Sequence, residues 1–242
     1  MELKLKALDG YKGPGGPLLL IIMDGYGIGR EYEGNAVFKA RKPHLDRYLA
    51  QGLYTQLKAH GPAVGLPSED DMGNSEVGHN ALGAGRIFAQ GAKLVNRAIA
   101  DGSMFETALW QSITARHAEA GTMHFIGLLS DGNVHSHIDH LYAMIDRAAA
   151  AGVRRLRVHA LLDGRDVDEK SALRYVEPLE EKLAAISQER NFDYRFASGG
   201  GRMNVTMDRY NADWQVVKKG YDAHVLGIGR AFDSAANAVK TY

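Results

Sequence analysis

The sequence predicts an α/β fold built on a largely parallel sheet. Short apolar runs alternate with longer stretches of helical periodicity along the 242 residues. The runs also end in polar, glycine-bearing loops, which is where open parallel sheets place their ligands. No internal repeat or low-complexity tract interrupts the alternation.

Five apolar runs are expected to form strands: Leu18–Met23, His124–Leu129, Leu156–Leu162, Tyr194–Ala197 and His224–Leu226. Helical spacing is expected over Ala36–Ala50, Phe105–Glu119, Ile138–Ala150, Glu169–Glu189 and Met207–Lys219. In the second of these, Leu109, Ile113 and His117 recur at helical intervals. Between the first strand and the rest, Gly61–Arg86 is rich in Gly, Pro, Asp and Asn, and it reads as a long functional loop or a crossing between domains.

Composition narrows the chemistry. Basic and acidic residues balance at 29 each, which gives no support for nucleic acid or an anionic membrane as partner. Cysteine is absent, so disulfides, thiol catalysis and thiolate metal sites are excluded together. A bound metal must then use oxygen or imidazole. Lack of cysteine also suits a reducing compartment, and the cytoplasm is the expected location. The longest apolar run, Pro17 to Met23, is too short to span a bilayer and ends at Asp24.

Four strand ends are candidates for a site: Asp24-Gly25-Tyr26-Gly27, Ser130-Asp131-Gly132-Asn133, Asp163-Gly164-Arg165-Asp166 and Ser198-Gly199-Gly200-Gly201-Arg202. Each alone is ordinary turn chemistry; four on one sheet edge favour a site. Asp24 can offer a carboxylate to a hard cation, or it can cap a turn. Ser75, within Asp71-Met72-Gly73-Asn74-Ser75-Glu76-Val77-Gly78-His79, can be a nucleophile once a base or metal activates it, or the N-cap of a helix. Arg165, Asp166, Arg202 and Arg209 read as an anion site, since arginine grips phosphate and carboxylate with a planar fork. The run His135-Ser136-His137-Ile138-Asp139-His140 matches the zinc pattern of the metallo-β-lactamase fold. The downstream ligands such a site needs are not evident, because neither His159 nor His224 sits in a convincing ligand setting.

These motifs resemble, in order from about Leu18 to the end, the cofactor-independent phosphoglycerate mutases. Met72 to His79 is similar to their nucleophile loop. Leu129 to Gly132, Val134 to His137 and His159 to Asp166 follow the same family. Ala197 to Met203 with Thr206 to Tyr210 is similar to the plant and trypanosomatid variant. The resemblance implies an alkaline-phosphatase-like domain, of which residues 1–86 are the first part, and an inserted α/β transferase domain from residue 87 to 242, incomplete at its far side. It implies that 3-phosphoglycerate and 2-phosphoglycerate are interconverted through a phosphoserine on Ser75, without bisphosphoglycerate. Asp24 and Ser75 would bind metal, one corner of a site for two divalent ions, manganese by expectation. His135, Arg165, Asp166, Arg202 and Arg209 would hold phosphoglycerate. A cytoplasmic monomer is expected, with a small molecule as its partner.

The chain departs from the family in two ways. Asn133 stands where many members have glycine, and asparagine tolerates left-handed backbone. Family members are also about twice as long, their second half supplying most metal ligands, so residues 1–242 alone are expected to be inactive. A related metal-dependent phosphatase or phosphopentomutase, which shares the Asp and nucleophile placement, is the alternative enzyme. A fragment that only binds phosphoglycerate is the alternative without catalysis.

Overall fold

A computed structural model of the chain describes residues 8–52, 54–207 and 213–242. The amino-terminal stretch carries short helices. Asn35 opens α1 (Ala36–Lys39) by accepting hydrogen bonds from the amides of Val37 and Phe38. Pro43 starts a separate helix, α2 (Pro43–Ala50), so the single helix expected over Ala36–Ala50 is two. Proline has no amide to continue the first helix and is at ease in the first turn of the second.

Gly61–Arg86 is not one long loop. A 3-10 turn at Gly61–Val64 leads to α3 (Ser75–Ala84), which Gly85 ends in a left-handed conformation. Val64, Leu66 and Val77 form a small buried cluster here. Buried Gln90 binds it through its side-chain amide, donating to the carbonyls of Val64 at 2.8 Å and Val77 at 3.2 Å.

From there the chain runs through α4 (Gly91–Ala100), α5 (Ser103–Glu106) and α6 (Ala108–Glu119). The helix expected over Phe105–Glu119 breaks at Thr107, whose hydroxyl accepts from the amide of Trp110 and caps α6. Then β1 (Met123–Leu129), α7 (Ile138–Ala150), β2 (Arg155–Leu162), α8 (Ala172–Arg190) and β3 (Asp193–Gly201) alternate as expected. α9 (Trp214–His224) and α10 (Ala235–Thr241) follow.

The three strands form a parallel sheet in the order β1-β2-β3. Parallel neighbours need crossovers, and α7 and α8 supply them. One face of the sheet is packed: Met123 and Leu129 of β1, Leu156, Val158 and Ala160 of β2 and Tyr194 of β3 meet Ile145 and Ala148 of α7 and Val176, Leu179 and Leu183 of α8. Leu156, Ile145 and Leu179 are fully buried, each contributing about 1.5–3 kcal/mol of apolar transfer.

Two expected strands are absent. Leu18–Met23 has no regular secondary structure and no strand partner among the described residues, and Leu18 to Ile21 are each at least two-thirds exposed. A run this apolar suits a parallel strand with neighbours on both sides, and no described segment pairs with it. His224–Leu226 is not a strand, because His224 is the last residue of α9. Ser198 to Gly201 also lie inside β3 and not beyond it.

Candidate functional site

The site is built at the carboxyl ends of β1, β2 and β3, where three loops meet on one buried carboxylate. Asp163, just past β2, has a side chain 1 % exposed. Its Oδ2 accepts from the Ser130 hydroxyl beyond β1 at 2.6 Å. Its Oδ1 accepts the backbone amides of Arg165 at 3.2 Å and Asp166 at 3.1 Å. Arg202, just past β3, brings Nη1 to 3.2 Å from the same Oδ1. Burial alone would push the Asp163 carboxyl up; the Ser130 hydroxyl, the two amides and the Arg202 charge bring it below the usual carboxylate range.

Arg202 is itself buried, and its Nη1 also donates to Asp166 Oδ2 at 3.0 Å. His135 Nε2 lies 3.8 Å from that Asp166 oxygen. Three of the residues that the resemblance expects to hold phosphoglycerate, His135, Asp166 and Arg202, are therefore brought together. Arg165 is exposed beside them and reaches Met203 Sδ at 3.8 Å, on the rim of a cleft of about 680 Å³. Arg209 lies outside the described residues. Asp163 was legible only as a turn residue, because its partners come from three separate loops.

Ser75 and Asp24 meet although 51 residues separate them. The Ser75 hydroxyl donates to Asp24 Oδ2 at 2.6 Å. Asn74, and not Ser75, caps α3, its side chain accepting from the Val77 amide at 2.9 Å. Ser75 is thus the first helical residue, exposed at the positive end of the helix. His79 Nδ1 stands 2.7 Å from the Ser75 carbonyl oxygen and 3.2 Å from Oγ. A carbonyl only accepts, so Nδ1 carries the proton there, and the serine proton faces Asp24. The two oxygens are close enough together for one hard cation to touch both, so the donor set fits a divalent ion. No cluster of three or more His, Cys, Asp or Glu side chains with metal-binding geometry occurs among the described residues. His137 instead caps α7 and accepts from the Asp139 amide.

The loop before Ser75 and the sheet-edge loops touch. Asn133 adopts φ 57°, the left-handed backbone that asparagine tolerates, and its side-chain amide donates to Asp71 Oδ1. Asp71 Oδ2 accepts from the Ser68 amide and hydroxyl at 2.7 and 2.8 Å. Between them is a cleft of about 510 Å³, lined by Asp71, Met72, Asp131, Asn133, His137 and Asp166 among others. One Asp131 oxygen is held by the Tyr175 hydroxyl at 2.6 Å.

Gly73 sets the path of the loop that leads into Ser75. A Cβ there would fall 1.8 Å from the Ala59 carbonyl oxygen, while the Gly73 amide donates to His60 Nδ1 at 2.8 Å. Gly73→Ala is expected to cost about 1–3 kcal/mol through the forced backbone shift, read as a lowered melting temperature. An unchanged melting temperature would mean the loop yields freely.

Residues 95–242 match the family model described as BPG-independent PGAM N-terminus. The chain belongs to that family. It is 51% identical over 228 residues to a probable 2,3-bisphosphoglycerate-independent phosphoglycerate mutase of Leptospira interrogans, covering 93% of this chain and 41% of the relative. It is 51% identical over 230 residues to 2,3-bisphosphoglycerate-independent phosphoglycerate mutase 1 of Arabidopsis thaliana, covering 94% and 41%. A solved structure of Leishmania mexicana phosphoglycerate mutase at low cobalt concentration superposes with a TM-score of 0.81 at 48% identity, covering 91% of this chain and 40% of that one. The plant and trypanosomatid likeness expected from the Gly-rich stretch before Arg202 is borne out. The chain spans about two-fifths of the length of these relatives. Among the described residues, no helix is long and apolar enough to cross a membrane.

Proposed function

We propose that this chain is the amino-terminal part of a bisphosphoglycerate-independent phosphoglycerate mutase, acting through a phosphoserine at Ser75. The observation that carries this reading is the Ser75 hydroxyl donating to Asp24 at the open start of α3. The phosphoryl group of phosphoglycerate passes to Ser75 Oγ: the Oγ–P bond forms and the bond from phosphorus to the glycerate oxygen breaks. Asp24 Oδ2 is placed to take the serine proton, and the glycerate oxygen leaves as a hydroxyl. The amide groups at the start of α3 favour the incoming anion. His135, Arg165, Asp166 and Arg202 hold the glycerate while it turns, with Arg209 as the fifth member of that set. The phosphate then returns to the other hydroxyl.

Asp24 and Ser75 would hold a divalent ion, manganese in this reading, with a second ion nearby. Such an ion lowers the serine pKa and offsets charge on the transferring group. Residues 1–86 belong, in this reading, to an alkaline-phosphatase-like domain and 87–242 to the transferase domain of a cytoplasmic monomer.

The test is conversion of 3-phosphoglycerate to 2-phosphoglycerate by the purified protein with manganese and no bisphosphoglycerate. Residues 1–242 alone are expected to bind phosphoglycerate without turning it over, since they offer only one corner of the metal site. Manganese-dependent turnover by these residues alone would refute that division of labour. Turnover of a pentose phosphate, with none of phosphoglycerate, would replace the mutase reading with a phosphopentomutase.

A further inference from the structure

Three histidines from distant parts of the chain join in one hydrogen-bonded series on the sheet face opposite the main core. His124 Nδ1 lies 2.8 Å from His159 Nε2, and His159 Nδ1 lies 2.6 Å from Ser198 Oγ. Ser198 Oγ is 2.7 Å from His224 Nδ1, and His224 Nε2 is 2.9 Å from Thr206 Oγ1. A register shift between Val158 and His159 makes this possible. It sets His159 opposite Ser198, where continuing the register from Val158 and Phe196 would have given Ala197.

The series ends on a strained residue. Thr206 has φ 89°, a conformation that costs a β-branched residue about 1–3 kcal/mol. It is clamped there by α9. Its amide donates to the Val216 carbonyl at 3.0 Å, and a Cβ on Gly220 would fall 2.4 Å from Thr206 Oγ1 and 2.5 Å from its Cα. Only glycine fits at 220. Four residues before Thr206, Arg202 leaves the sheet with its amide on the Leu162 carbonyl at 2.9 Å, and the Met207 amide returns to the Arg202 carbonyl at 3.3 Å. Fixing Thr206 therefore fixes the turn that carries Arg202.

We propose that His224, through Ser198 and His159, is a positioning residue that clasps Thr206 to the sheet and so holds Arg202 in its place in the anion site. The proposal rests on the reading of Arg202 as a phosphoglycerate ligand. The clasp is a chain of neutral rings in which every proton can point one way. One added proton leaves each link intact, but His124 and His159 cannot both be charged, because two N–H groups would then face each other across 2.8 Å. Of the charges on the packed elements, Arg157 of β2 and Arg195 of β3 pair with Asp193 and Lys218 pairs with Asp222 on α9, while Arg155 of β2 and Lys219 of α9 are exposed to solvent. Burial holds the His224 imidazole below its ordinary value, and burial with the neighbouring His124 and His224 does the same for His159. Both lowered groups bind fewer protons folded than unfolded. Their contribution is complete above the ordinary value of 6.5 and is lost as pH falls through the lowered folded values.

The experiment combines nitrogen-15 histidine spectra with 3-phosphoglycerate calorimetry across about pH 5 to 8. His159 and His224 are expected to be neutral at pH 7, and phosphoglycerate affinity is expected to fall where the His124–His159 link takes up more than one proton. His224→Phe and Ser198→Ala should each weaken binding about tenfold at pH 7.5 and speed exchange of the Thr206 amide. His224→Gln, whose amide can still reach Thr206, should restore affinity, while the pH step, which arises where His124 meets His159, should remain. Unchanged affinity in both His224→Phe and Ser198→Ala, or affinity in His224→Gln no better than in His224→Phe, would overturn the proposal. If Arg202→Lys binds phosphoglycerate as tightly as the parent, the ligand reading fails instead, and Thr206 exchange in Ser198→Ala still decides the clasp: faster exchange upholds it and unchanged exchange ends it.

Discussion

Asp163→Ala is expected to lower the melting temperature by on the order of 10 °C. The carboxylate is nearly inaccessible and meets Ser130, two backbone amides and Arg202 at once. Removing one partner of a buried ion pair costs about 3–5 kcal/mol, because the other charge stays buried. Here Arg202 would retain Asp166 alone, and the amides of Arg165 and Asp166 would lose their acceptor. Asp163→Asn should fall between, since an amide oxygen can still accept from the backbone but no longer balances the guanidinium. The same carboxyl predicts acid sensitivity. Its folded value lies below the ordinary 3.8, so its contribution is complete above that pH and is lost as pH falls through the lowered folded value. Thermal melts of the three proteins against pH decide this, and a melting temperature within a degree of the parent for Asp163→Ala would remove Asp163 from the centre of the site.

In the full-length mutase of which this chain would form the amino-terminal part, Ser75→Ala is expected to reduce turnover by more than about a thousandfold, with no phosphoenzyme formed. The variant separates chemistry from folding cleanly. Ser75 is exposed, and the cap of α3 belongs to Asn74, so stability should stay within about 0.5 kcal/mol of the parent. Mass spectrometry of the protein quenched during turnover should find phosphate on the peptide holding Ser75 in the parent and none in the variant. Phosphate on another residue, or undiminished turnover in Ser75→Ala, would end the proposed role.

The central sheet and its crossover helices were legible because their signals are local. β1, β2, α7 and α8 follow from apolar runs and helical spacing close to the observed bounds. The amino-terminal strand was not, since a run such as Leu18–Met23 carries no information about whether neighbours exist to pair with it. Helix breaks at Pro43 and Thr107 were readable from proline and capping chemistry but were overridden by the apolar period around them. In the site, the residue types at strand ends were legible while their division of labour was not. Nothing in the spacing distinguishes Asp163, which organises three loops, from Asp166, which faces His135 and Arg202. The pairing of His159 with Ser198 depends on a one-residue register shift that only the assembled sheet displays.

The exposed run from Leu18 to Met23 has a consequence for handling the protein. Six consecutive apolar residues without proline or charge, exposed and in no strand, offer backbone groups to any similar segment. At high concentration, two chains can pair through this segment before either meets its ligand, and Asp24 at its end is the nearest charge opposing such stacking. The residue placed beside Ser75 thus also carries the charge that would disfavour such self-association.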